Sequence, residues 1–72
     1  MTEDEAIQLA RSIAEQEGWP WRGTVTASRS RRGLVGRPEW LITSNAQARG
    51  LNVRVRIDDH TGQILSREFA PR

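Results

Sequence analysis

The sequence predicts an α+β domain: one N-terminal helix packed on one face of a three- to four-stranded antiparallel sheet. Three observations predict it. Apolar residues recur at helical spacing only near the start of the chain. From Thr24 onward they alternate in short runs. Turn residues (Gly, Pro, Asn, Asp) separate those runs. A helix followed by consecutive strands belongs to the α+β class. At 72 residues the chain is a single domain, 1–72, and too short for a multi-domain enzyme.

Each element has its own signal. Thr2 and Glu5 form a T-x-x-E capping box, and Glu3 and Asp4 complement the helix dipole. Ala6, Leu9, Ala10, Ile13 and Ala14 build an apolar stripe that Ile7 widens, and Gly18 is a fitting residue to end the helix. The helix is predicted over Glu3–Glu17. Pro20 holds Trp19-Pro20-Trp21 extended, so the two tryptophans face opposite ways. One is expected to close the core, and the other is either an exposed candidate contact residue or a ring lying flat over the sheet edge.

Thr24–Arg29 alternates as a strand, and Ser30–Pro38 reads as a long, mobile, Arg-rich hairpin connection. Glu39–Thr43 is the second strand. The third, Leu51–Ile57, points Leu51, Val53, Val55 and Ile57 one way and Asn52, Arg54 and Arg56 the other. Asp58–Gly62 is a tight turn, and Gln63–Phe69 is the last strand. The small residues of the helix stripe allow close approach to the sheet, with Trp40, Val53, Val55 and Ile57 filling the remaining volume. The last strand carries few outward charges, so pairing of sheet edges into a homodimer is an expectation.

Composition narrows the chemistry. There is no Cys, which removes disulfides, thiol nucleophiles and Cys-based zinc sites. The acidic start Met-Thr-Glu-Asp-Glu is unlike a signal peptide, and no apolar run approaches a membrane span; the sequence reads as cytoplasmic with no membrane partner. All eleven basic residues are Arg, and the net charge of +2 is unevenly spread. Residues 18–56 hold eight Arg against one Glu, a net of +7, while the helix segment is acidic.

Within that basic stretch Arg29, Arg31, Arg32 and Arg37 surround the connection, and Arg54 and Arg56 share the polar side of a strand. Together with Trp21 they are the candidate binding residues. An acidic protein partner is one use for them. Nucleic acid is another, since alternate strand residues lie about 7 Å apart, close to the spacing of phosphates. A third is plain solvation, with Arg54 or Arg56 pairing across strands to Glu39 or Glu68. His60, between Asp58 and Asp59, reads as part of the hairpin turn rather than as a metal or catalytic site, because no second cluster of ligands accompanies it. No catalytic residue, metal site or cofactor is predicted.

The tail carries a resemblance. Val53-Arg54-Val55-Arg56-Ile57-Asp58-Asp59-His60-Thr61-Gly62-Gln63-Ile64-Leu65, preceded by a strand with Trp40, resembles the V-x-V/I-D-x-x-T-G-x-V/I hairpin of PepSY-like domains. Val55, Ile57, Asp58, Thr61, Gly62 and Ile64 match it. The tail is also similar to that of small immunity-type proteins of bacterial toxin systems. The resemblance covers the second half of the chain and, loosely, the helix. It implies a non-enzymatic binding or inhibitory module and carries over no catalytic residues.

Overall fold

A computed structural model describes residues 1–31 and 37–71. Its elements are α1 (Glu3–Glu17), β1 (Thr26–Arg31), β2 (Pro38–Thr43), β3 (Asn52–Asp58) and β4 (Ile64–Ala70). The four strands form one antiparallel sheet in the order β1-β2-β3-β4. This is the predicted α+β arrangement, with all four strands present.

The helix has the predicted ends. The Thr2 hydroxyl accepts from the Glu5 amide at 3.2 Å, and the Glu5 carboxylate accepts from the Thr2 amide at 2.8 Å. These bonds, the Thr2 backbone first, hold the Glu5 carboxyl below its ordinary value. At the other end Gly18 adopts φ 74°, a left-handed conformation that an L side chain disfavours, and its N–H bonds back to Glu15. Ala6, Ala10 and Ala14 are fully buried and Ile13 nearly so, which brings the helix close onto β1, β2 and β3.

Strand alternation and register divide the side chains between two faces. Val53, Val55 and Ile57 of β3 and Ile42 of β2 lie wholly buried beneath the helix. Val25, Ala27, Trp40, Ile64 and Phe69 pack around that core. The helix packs chiefly on β1, β2 and β3 and meets β4 through Glu17 and Arg67, 3.9 Å apart, and a ring pair closes the inner side of β4 further. The Trp19 ring stacks on Phe69, with centroids 5.9 Å apart and planes within 15°, and Phe69 pairs with Val53 in the ladder.

Several details differ from the sequence expectations. The first strand begins at Thr26 rather than Thr24, because the Thr24 carbonyl accepts from the Ala46 amide in the loop after β2 and the chain turns at Gly23. Leu51 does not join Val53, Val55 and Ile57 on the buried side. It sits before β3 at φ 54° and is 37% exposed, so the left-handed turn swings it outward. Trp19 and Trp21 do not divide into one buried and one exposed ring: both are half-buried and both pack on the core cluster.

The Ser30–Pro38 connection is shorter than expected at each end. Ser30 and Arg31 belong to β1 and Pro38 to β2, with Arg31 opposite Pro38. Residues 32–36, and with them Arg32 and the expected mobility of this connection, lie outside the described residues.

The loop between β2 and β3 is fastened chiefly by the Asn52 side chain. Asn52 Nδ2 donates to the carbonyls of Ser44 (3.2 Å) and Asn45 (2.8 Å), while its Oδ1 accepts from the Gly50 amide at 3.0 Å. Ser44, fully buried, accepts from the Val53 amide through its hydroxyl at 3.0 Å. A loop in this position would otherwise bury main-chain groups without partners. Gly23 lies against the same loop: a Cβ there would meet Asn45, with the Asn45 Cα only 3.0 Å away.

Candidate functional site

Among the described residues no helix packs on the face of the sheet away from α1, where Asn52, Glu39 and Asp58 are buried and Leu41 and Arg54 are exposed. The register sets its side chains in three rows across the strands. Thr26, Thr43, Arg54 and Glu68 form one, Ser28, Leu41, Arg56 and Ser66 the next, and Ser30, Glu39 and Asp58 the third. Leu41, 38% exposed, stands between Ser28 and Arg56 across the strands and between Glu39 and Thr43 along its own. On the inner strands, Arg54 and Arg56 are the only cations of this face.

The same alternation separates the predicted arginines. Arg29 and Arg31 share the helix-side face of β1 with Ala27, because Arg29 lies opposite Trp40 and Ala27 opposite Ile42. They are therefore on the opposite side of the sheet from Arg54 and Arg56. Among the described residues the predicted basic set is not one patch but two groups, with Arg37 just before β2.

Most of these cations already face a carboxylate. Arg56 donates to Glu39 at 2.5 Å, and Arg54 lies 3.7 Å from Glu68. These are the cross-strand pairs that the sequence offered as the plain alternative to a binding role. Arg29 donates to Asp59 Oδ2 at 2.7 Å, and Arg37 lies 3.8 Å from Asp58. Arg31, exposed, makes no ion pair among the described residues. It borders a cleft of about 380 Å³ lined, among the described residues, by Arg29, Ser30, Arg31 and Pro38. Trp21 is half-buried against the core.

The end of the sheet beside this cleft is built around two neighbouring carboxylates. Asp59 accepts the Trp40 indole N–H at 2.6 Å and the Arg29 guanidinium, and the terminal ammonium lies 3.7 Å away. The indole bond first, and then Arg29, hold the Asp59 carboxyl below its ordinary value against the opposing effect of burial. Asp58 turns its carboxylate into the hairpin, where Oδ1 accepts from the amides of His60 (2.8 Å) and Thr61 (3.0 Å). The Thr61 amide leads in lowering the Asp58 pKa, with His60 and Arg37 adding to it. The D-x-x-T-G run thus acts as turn chemistry: an Asx bond at its start and Gly62 at φ 77° near its end.

The exposed His60 imidazole belongs to that turn. Among the described residues no three His, Asp or Glu side chains gather in a way that could hold a metal ion. No described helix is long and apolar enough to cross a membrane.

Sequence reasoning missed Asp59 and Leu41. Asp59 gave no signal, because its partners stand 30 and 19 residues away in the chain. Leu41 was visible as an apolar residue between Trp40 and Ile42, and strict alternation would have turned it to the open face. Comparison with protein families, with curated proteins and with solved structures finds no match for this chain.

Proposed function

We propose that the chain is a non-enzymatic binding module, PepSY-like in kind, that engages another protein through its sheet. The observation that carries this is the one-sided architecture. The helix covers one face, and the other presents polar and charged side chains around an exposed Leu41. Polar residues about an apolar centre are the composition of a protein contact surface. The arginines give little support to nucleic acid: Arg29, Arg37, Arg54 and Arg56 are each already matched by a carboxylate, which weakens the field a polyphosphate would meet.

The test is selection of a displayed random-peptide library on the folded chain, followed by amide shift mapping with the recovered peptides. Binding is expected to move resonances of the sheet and to leave the outer helix positions Gln8, Ser12 and Glu15 still. A library that yields no enriched binder sinks the proposal. A labelled oligonucleotide that binds tightly and weakens steeply with salt would replace it with the nucleic-acid alternative.

A further inference from the structure

We infer that the outer edge of β1 accepts an extended acidic segment of a partner protein as a fifth strand, with its carboxylates toward Arg29 and Arg31. The inference rests on the protein-binding reading above and adds the site and the chemistry of the partner.

The two sheet edges are unlike. β4 is interrupted: Arg56 pairs with Ser66 and Ile57 with Ile64, so Leu65 is an extra residue that breaks the ladder. A bulge of this kind bends a strand and spoils it as a template. The charges of β4 are of both signs and are engaged, Arg67 near Glu17 at 3.9 Å and Glu68 near Arg54. By contrast, β1 runs in unbroken register with β2 from Thr26 to Arg31 and holds no proline. Beyond its ladder with β2, no main-chain group of Thr26–Arg31 makes a hydrogen bond among the described residues. An antiparallel edge strand presents a row of such groups outward, and an added strand satisfies them.

Side chains select the occupant. Ser28 and Ser30 are short on the open face, so an incoming strand meets no bulk there. On the helix side the charged residues are Arg29 and Arg31, two positions apart, and they border the cleft with Pro38. Arg29 is partly neutralised by Asp59, and Arg31 is not paired among the described residues. A neighbouring strand with carboxylates at alternate positions would match both. A second copy supplies no such carboxylates: its β1 is Thr-Ala-Ser-Arg-Ser-Arg, and antiparallel pairing centred on Arg29 or Ser30 would set Arg against Arg.

The experiment uses the peptides recovered by library selection. They are expected to be acidic at alternate positions and to slow amide exchange across Thr26–Arg31. Arg31→Glu is expected to weaken their binding about fivefold or more. Arg22→Glu, which alters net charge equally at an exposed arginine outside β1, should change it little. Arg31→Gln provides a milder variant should the reversal disturb the fold. Peptides that bind but map to Leu41 and Arg54, or to β4, overturn the inference and leave the binding-module proposal standing. Equal losses in the Arg31 and Arg22 variants, or binders without acidic residues, overturn it as well. The absence of any binder removes both.

Discussion

The Trp40 indole N–H donates to Asp59 Oδ1 at 2.6 Å, while the other oxygen of that carboxylate takes Arg29 at 2.7 Å. One side chain in the β3–β4 hairpin thereby ties β1 and β2 together on the helix side of the sheet. Its stability contribution depends on charge. The folded-state pKa lies below the ordinary value of 3.8, so between the two values the unfolded chain holds a proton that the folded chain does not. The contribution is full above that window and is lost as pH falls through it. The chain is expected to melt at lower temperature on acidification below about pH 4, and Asp59→Asn should flatten that fall. Among the three tryptophan indole N–H resonances, one should titrate in the same range in the wild type and none in the variant.

Val55 is wholly buried between the helix and the sheet. Val55→Asp would place an unpaired carboxylate there, at a cost of several kcal/mol, where a domain this small has only about 3–5 kcal/mol in total. Circular dichroism should show the variant unfolded at 25 °C, and a cooperative melt like that of the wild type would refute the core assignment.

Asn52 satisfies the carbonyls of Ser44 and Asn45 with amide protons. Asn52→Asp keeps the size and removes those donors, and sets a carboxylate against two carbonyl oxygens. Denaturant titration should show a loss of about 1–3 kcal/mol. Amide exchange should quicken first in the loop of residues 44–51, and uniform quickening across the sheet would count against Asn52 as a local fastener.

Thr2→Ala removes one half of the capping box and should cost about 1 kcal/mol. The Glu5 carboxyl should rise only part of the way toward its ordinary value, since the hydroxyl is lost while the backbone amide at position 2, which lowers it most, remains. Unchanged stability in the variant would show that the hydroxyl does not cap the helix in solution.

Much of the fold was legible because its determinants are local. The Thr2–Glu5 box, the alanine stripe and Gly18 lie within one short stretch, and the helix ends fall where they place them. Val53, Val55 and Ile57 alternate on the buried side for the same reason. The site was harder to see. Arg29 and Arg54 look alike in sequence, and only the pairing of Arg29 with Trp40 and of Arg54 with Thr43 reveals that they lie on opposite faces. Leu51 broke its alternation through a left-handed backbone that its side chain type does not favour. Asp59 and Asn52 do their work through partners that folding brings together.

The strand order has a kinetic consequence. Each strand pairs with its neighbour in sequence, so the sheet is a meander without a crossover, and every pairing closes only the segment between adjacent strands. Short closures cost little chain entropy. The sheet can therefore zip strand by strand, while the distant meeting of Trp19 with Phe69 completes only when β4 is in place. Weakening that stack should chiefly speed unfolding and leave the rate of first collapse nearly untouched.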